Sequence, residues 1–324
     1  MSKISLASVR EQLTIPVIAA PMFLISGPEM VLACCKAGVV GSFPLLNART
    51  DVVLESWMKE ITEELAAARR AEPERKIAPW AVNLIVHRTN TRYDADVKLI
   101  QKYQPPIVIT SLGAPGPVVD IVHAYGGLVF SDVATLTHAK KAAQTGVDGL
   151  ILVCQGAGGH AGTINPFAFM GAVRHYWQGG IILAGCLTTG QDVFAAAALG
   201  ADFAYMGTRF IACAEGMASE AYQQMLIQAT SDDILYTNAV SGVHANFLMQ
   251  SLLNAGYDPE QLAAKHEVNF SHLNNQEAKA WKDIWSAGQG VNAIQSVLPA
   301  ADMIAELCQE YKQAEALLAA RTVR

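Results

Sequence analysis

Three features of the sequence predict an α/β fold: a (β/α)8 TIM barrel with a helical segment added near its C-terminus. First, eight short β-rich apolar runs, each closed by glycine or proline, fall within the first 210 residues. Second, helical patterns separate consecutive runs. Third, the runs are continuously apolar, as expected of parallel strands buried on both faces. A doubly wound open sheet is the second choice, because it usually contains fewer strands.

The eight apolar runs define the predicted strands in order along the chain. They cover residues 15–22, 39–46, 80–86, 107–113, 127–133, 149–155, 180–186 and 203–210. Helical patterns such as GPEMVLACCKAG and QDVFAAAALGAD lie between them. At the junctions KAGVVGS, QTGVDGL and ALGADFA, a glycine closes a helix shortly before the next strand, which is typical of helix C-capping.

The pattern changes after the eighth run. We expect residues 1–213 to form the barrel and residues 214–285 to form a helical insertion near its mouth. Residues 286–324 are expected to hold a segment that approaches the site, followed by the final barrel helix, which is predicted over residues 291–320. The insertion is also a candidate surface for a homodimer.

Composition and charge argue against several classes of protein. A net charge of −6 and the lack of any basic patch disfavour a nucleic-acid partner. No apolar stretch reaches the ~18 residues of a membrane span, and the N-terminus lacks the apolar core of a signal peptide. The six cysteines show no CxxC pairing, which disfavours a zinc site. We therefore expect a cytoplasmic enzyme without a metal centre.

A glycine-rich stretch, LVCQGAGGHAG at residues 152–162, follows the sixth predicted strand. Its GxGxx[GA] spacing resembles a dinucleotide-binding loop, but it does not open a βαβ unit. The acidic residue expected about 20 positions later is also absent. In a barrel, loops at the carboxyl ends of strands build the active site. We therefore expect the glycines to leave room for a planar ligand beside His160.

The loops after the seventh and eighth strands predict a phosphate site. The segments LAGCLTTGQDV and YMGTRF place Gly185, Gly207 and Thr208 at strand ends. In barrels these two loops commonly bind phosphate through backbone N–H groups, and the threonine adds a hydroxyl donor. A phosphorylated cofactor in the barrel mouth is the resulting hypothesis.

Six motifs together resemble the flavin-dependent nitronate monooxygenases, formerly called 2-nitropropane dioxygenases. They are PVIAAPM, VNL, QGAGGHAG, LAG, ALGADFAYMGTRF and IWSAGQGV, and they extend along essentially the whole chain. The resemblance implies FMN at the barrel mouth. It assigns the family's catalytic histidine to His160.

The resemblance also implies a set of cofactor-binding residues, which are grouped by the part of FMN that they would touch. The isoalloxazine ring would be lined by Ala20, Pro21 and Met22, with Asn83 near its polar edge. Gln155 would border the cofactor, and Gly158 and Gly159 are further expected cofactor-binding residues. The phosphate would be bound by Gly185, Gly207 and Thr208, and the flavin would be approached from the later segment by Ser286, Gly288 and Gln289.

Three positions depart from the family pattern. The QGAGGH motif is two residues shorter than is common, which leaves the reach of His160 open. Cys186 follows Gly185 where a second glycine is frequent, and Asp132 ends the fifth strand where some relatives carry a basic residue. An anionic substrate would therefore find less help at that strand end.

The reaction implied by the resemblance is oxidation of an alkyl nitronate by O2 to a carbonyl compound and nitrite. His160 would remove the α proton of a neutral nitroalkane, or stabilise the charge of a nitronate, and both roles stay open. One alternative is an FMN-dependent NAD(P)H reductase of a quinone or an enoyl thioester. A non-catalytic flavin-binding protein is a third, which the presence of His160 disfavours.

Overall fold

Eight parallel strands form the central sheet of the computed structural model, which describes residues 4–240, 242–258 and 283–322. They are β1 (Val17–Ala19), β2 (Gly41–Pro44), β3 (Trp80–Ile85), β4 (Ile107–Ser111), β5 (Leu128–Val133), β6 (Gly149–Val153), β8 (Gly180–Ala184) and β9 (Phe203–Met206). The two-residue β7 (Gly159–His160) lies outside this sheet. The order is β1-β9-β8-β6-β5-β4-β3-β2, and a parallel bridge between Ile18 and Val40 closes the ring. The predicted (β/α)8 barrel is confirmed.

Helices surround the barrel. They are α1 (Leu6–Glu11), α2 (Pro28–Lys36), α3 (Asp51–Ala71), α4 (Tyr93–Tyr103), α5 (Gly116–Ala124), α6 (Leu136–Ala143), α7 (Pro166–Arg174) and α8 (Gly190–Ala198). After β9 come α9 (Thr208–Ile211), α10 (Glu220–Gln228), α11 (Met249–Asn254) and α12 (Ala300–Thr322). Helix α12 packs on α8 and α2, and so completes the outer ring.

A second sheet lies in the segment that the sequence predicted to be helical. It contains β10 (Ile234–Thr237) and β11 (Ala245–Leu248), with β11 antiparallel to both β10 and β7. Residues 214–258 therefore hold strands as well as helices. Neither strand has an uninterrupted apolar pattern of useful length, which is why they were missed. Residues 259–282 of the predicted insertion lie outside the described residues.

The predicted strands are mostly a few residues too long, and two predicted boundaries differ most from the structure. The eighth strand ends at Met206 instead of residue 210, because the chain turns into α9 at Thr208. The last helix begins at Ala300 rather than at residue 291, and a 3₁₀ turn covers Gln289–Ala293. Pro299 explains this start, since its ring favours the beginning of a helix and restricts the residue before it.

Among the described residues, no helix has the length and hydropathy needed to cross a membrane.

Candidate active site

The glycine-rich loop after β6 turns back as strand β7. Gly159 lies opposite Asn246 and His160 lies opposite Ala245 in the antiparallel pairing with β11. The buried side chain of Asn246 also donates a hydrogen bond from Nδ2 to the carbonyl of Ala157 at 2.7 Å. The second sheet, rather than the loop's own sequence, therefore holds His160 in position.

The two faces of this small sheet separate His160 from a pair of stacked rings. Directly opposed residues share a face, so His160 lies on the side of Ala245. On the other face, the rings of Tyr236 and His244 stack at 5.0 Å, and the Tyr236 hydroxyl donates to the carbonyl of Ala161 at 3.0 Å. Tyr236 and His244 therefore brace the strand from the face opposite His160.

His160 is partly exposed to solvent, yet protein atoms surround much of its ring. This burial lowers the pKa of His160, because the charged imidazolium loses hydration there. A neutral ring nitrogen can accept a proton. The environment therefore suits a general base at neutral pH.

Gly156, Gly158 and Gly288 form a group that we call the glycine cradle. Here the loops after β6 and β9 meet the segment that precedes the 3₁₀ turn. The Gly288 N–H donates to Thr208 Oγ1 at 2.9 Å, and the Gln289 N–H donates to the carbonyl of Gly156 at 2.9 Å. A Cβ on Gly158 would lie only 2.9 Å from the Gly288 nitrogen. Side chains are therefore excluded here, and backbone lines the space.

The loop after β8 reaches the same cradle. Gly185 has φ +124° and Cys186 has φ +56°, an uncommon value for a residue with a side chain. The Cys186 Sγ lies 3.8 Å from the Gln155 carbonyl and 4.0 Å from Gln289 Oε1. Burial raises the pKa of Cys186, so its thiol stays protonated at neutral pH. Cys186 thus fills part of the space that a second glycine would leave open.

The end of β1 borders the cradle from the other side. The Ala20 N–H donates to the Met206 carbonyl at 2.9 Å, and Pro21 follows directly. A Cβ placed on Gly207 would lie 3.7 Å from both the Ala20 Cβ and the Met22 Sδ. Ala20 and Met22 therefore lie beside Gly207.

A buried asparagine, Asn47, holds the loop that contains Met22. Its Nδ2 donates to the carbonyls of Met22 at 2.9 Å and Ser26 at 2.8 Å, and its Oδ1 accepts from the Leu24 N–H at 3.0 Å. Leu24 has φ +63°, so this loop requires outside support. The sequence analysis missed Asn47, although its place just after the second strand was an available signal.

Asn83 occupies the opposite part of the barrel mouth. It is buried in β3, which lies across the barrel from β8 in the strand order. Its Nδ2 donates to Ser111 Oγ at 3.1 Å and to the Ile109 carbonyl at 3.3 Å. Its side chain is thus fixed by β4, away from the glycine cradle.

Unpartnered polar atoms near the cradle test whether a cofactor fits. Thr188 Oγ1, Asn246 Oδ1 and Ser286 Oγ are buried and have no hydrogen-bond partner within the part of the chain that the structure describes. Buried polar groups are normally paired, so these atoms indicate a missing polar ligand. Thr208 Oγ1 accepts from Gly288, which leaves its own proton free to be donated. The hydroxyls of Thr188, Thr208 and Ser286 can donate to a phosphate, and Asn246 Oδ1 can accept from another part of the ligand, so these groups fit a phosphorylated cofactor.

Comparisons with known proteins show similarity along most of the chain. The family model described as nitronate monooxygenase matches residues 8–310. The nitronate monooxygenase of Paraburkholderia phytofirmans is 29% identical, with 92% of each chain covered. An octahydro-indene-carboxyl-CoA dehydrogenase of Mycobacterium tuberculosis is 24% identical, covering 74% of this chain and 64% of that protein.

A solved structure shares the fold. The nitroalkane oxidase from Streptomyces ansochromogenes superposes with a TM-score of 0.81 at 22% identity. The match covers 96% of this chain and 99% of that one. At this identity the likeness supports the barrel architecture alone.

Proposed function

This chain belongs to the nitronate monooxygenase family, and from that premise we propose that it uses FMN to oxidise alkyl nitronates with O2 to carbonyl compounds and nitrite. The observation that carries the proposal is the position of His160, held at the barrel mouth by β11 beside the glycine cradle. When bound, the flavin supplies the electron-transfer chemistry. The chain supplies binding, orientation and proton transfer.

The cradle provides the proposed phosphate site. Backbone N–H groups of Gly185 and Gly207 and the hydroxyl of Thr208 are the proposed donors to the FMN phosphate. Thr208 Oγ1 accepts a hydrogen bond from the Gly288 N–H, so its own proton is available to the phosphate. Ser286, whose Oγ lacks a partner among the described residues, is a further proposed donor to the cofactor.

The remaining proposed cofactor contacts lie around the mouth. Ala20, Pro21 and Met22 would support the ring from the end of β1, and Asn83 would reach its polar edge. Further contacts come from the loop after β6 and the late segment, at Gln155, Gly158, Gly159, Gly288 and Gln289. Because Gly158 and Gly288 already approach each other closely, any side chain at either position would close this space.

His160 is the proposed general base for a neutral nitroalkane. The neutral imidazole, favoured by burial, takes the α proton and so generates the nitronate inside the site. A preformed nitronate has already lost that proton. Removal of His160 should therefore affect the two substrates unequally.

The test is anaerobic titration of the FMN-loaded protein with propane-2-nitronate, followed by visible absorption, then admission of O2 and measurement of nitrite. We expect the flavin absorbance to change on titration, to recover in air, and nitrite to appear. His160→Asn should lower kcat/KM for neutral 2-nitropropane by about 10²–10⁴-fold, with a smaller loss for the nitronate. His138→Asn, on the exposed first turn of α6, is the matched control and should leave both unchanged.

An unchanged flavin spectrum during nitronate addition would refute the proposal. A second candidate, an FMN-dependent NAD(P)H reductase of an enoyl thioester or a quinone, would then take its place. The observation that favours it is the similarity to a dehydrogenase of a CoA ester. Rapid anaerobic bleaching of the flavin by NADH or NADPH distinguishes the reductase, since nitronate oxidation requires neither.

A further inference from the structure

An acidic side chain, Asp132, points into the barrel from β5. Residues that are paired in parallel register lie on the same face of a sheet. Asp132 pairs with Ile151 of β6, Ile151 pairs with Ile182 of β8, and Ile182 pairs with Phe203 of β9. The ring of Phe203 meets that of Phe130 with centroids 6.4 Å apart, although β5 and β9 are not neighbours. This face is therefore the inner one.

Asp132 lies above the apolar filling of the barrel, on the side of the mouth. It is two positions beyond Phe130, toward the carboxyl end of β5. Ser111 occupies the corresponding position of β4, and it accepts the hydrogen bond from Asn83. Asn83, Ser111 and Asp132 thus form a polar row on three adjacent strands, next to the proposed flavin ring.

Asp132 is half-buried, and one oxygen of its carboxyl lacks the partner that a shielded polar atom normally has. Its Oδ1 is shielded from solvent and makes no hydrogen bond to any residue that the structure describes. Burial raises the pKa of Asp132 to about 7. An unpaired acid in a cleft is costly to maintain, and such groups are concentrated at ligand sites.

The groups that face Asp132 leave its charge uncompensated. Ser111 of β4 and Ile151 of β6 carry no ionisable group. Tyr205 of β9 stays neutral, because burial, with a smaller contribution from the charge of Asp132, raises its pKa well above the usual value. The described inward-facing strand residues include no lysine or arginine. His160, at the mouth, has a lowered pKa. Of these groups, Asp132 is the carboxyl whose charge changes around neutral pH.

We propose that Asp132 controls a subsite for a small oxyanion: with its proton it donates a hydrogen bond to the anion, and without it the carboxylate repels the anion. A nitronate belongs to this class of ligand, as does the nitrite that leaves. The inference rests on the proposed function and adds a condition to it. The anionic substrate binds while Asp132 is protonated, whereas a neutral nitroalkane binds in either state.

The experiment is calorimetric titration of the FMN-loaded enzyme with nitrate, a planar oxyanion that does not titrate in this pH range. Binding that needs one proton weakens about tenfold per pH unit above the pKa of the group. With that pKa at about 7, the Kd for nitrate should rise about 30-fold from pH 6 to pH 8.5. Asp132→Asn keeps a donor and loses the charge, so its Kd should stay near the wild-type value at pH 6 throughout.

Asp120→Asn is the matched control, because it removes the same charge from the exposed surface of α5 and should keep the 30-fold response. If Asp132→Asn fails to bind flavin, Asp132→Ser replaces it, with weak but pH-independent nitrate binding expected. A pH response that survives in the Asp132 variant overturns the proposal, as does a wild-type Kd that does not change with pH. Nitrate is not turned over, so the two proposals can fail separately. If the nitrate Kd changes with pH as expected but the enzyme does not oxidise nitronates, only the proposed function is refuted.

Discussion

The substitution Gly190→Ala tests how tightly α12 docks on α8. A Cβ at this position would lie 2.0 Å from the Leu307 carbonyl oxygen and 2.6 Å from the Tyr311 nitrogen. Favourable carbon contacts lie at about 3.5–4.0 Å, so α12 has to move by more than about 1 Å. The shift would also strain the hydrogen bond from the Gly190 N–H to Glu310 Oε2, now 2.6 Å long.

Three terms set the size of the stability change. Overpacking of this kind costs about 1–3 kcal/mol, and the strained hydrogen bond adds about 1 kcal/mol. The better helix propensity of alanine offsets up to about 1 kcal/mol. We therefore expect the free energy of unfolding to fall by about 1–3 kcal/mol, measured from the midpoint and slope of urea unfolding by circular dichroism.

The matched control is Gly171→Ala in α7. No heavy atom lies within 4 Å of the Cβ that this change adds, and the position is exposed. Alanine should therefore raise the stability by about 0.5–1 kcal/mol. Glycine-to-alanine substitution is thus expected to lower the free energy of unfolding at Gly190 and to raise it at Gly171. A Gly190→Ala protein as stable as the wild type would refute the close docking of α12.

Three more predictions concern the site. Asn246→Ala removes the hydrogen bond to the Ala157 carbonyl and should weaken FMN binding about fivefold, which FMN fluorescence quenching measures. Asn47→Ala releases the Met22 loop and should weaken FMN binding by a similar factor in the same assay, whereas an unchanged Kd would exclude a positioning role. In the flavin-free protein, Asp132 has a pKa raised from 3.8 to about 7, so its contribution to stability is fully present below pH 3.8 and is lost as the pH rises through 7. Urea unfolding at pH 4.5 and pH 8 should therefore show a smaller decrease for Asp132→Asn than for the wild type.

The barrel was predictable because its strands carry their own signal. Each of the eight lies in a largely apolar run, and burial on both faces requires such a run. The strand boundaries were less certain. In the eighth run, Thr208 and Phe210 have high β propensity yet lie in the short α9, because the chain bends there toward the late segment.

The second sheet was not predictable from local pattern. Gly159 and His160 form a strand only because Asn246 and Ala245, far along the chain, lie opposite them. Asn47 and Asn246 act through hydrogen bonds to backbone carbonyls, which no spacing rule in the sequence marks. The glycine loops and His160 were found because their motifs are local, while the residues that hold them in place are distant.

Closure of the barrel by its first strand has a consequence for the order of assembly during synthesis. Val17 pairs with Ala204, so β1 keeps an open edge until nearly the whole barrel has left the ribosome. A nascent chain that stops before β9 should therefore be prone to aggregate. A chain that stops between β9 and β11 has every barrel strand, yet His160 still lacks its pairing partner. The active site should therefore mature last, after the barrel that carries it.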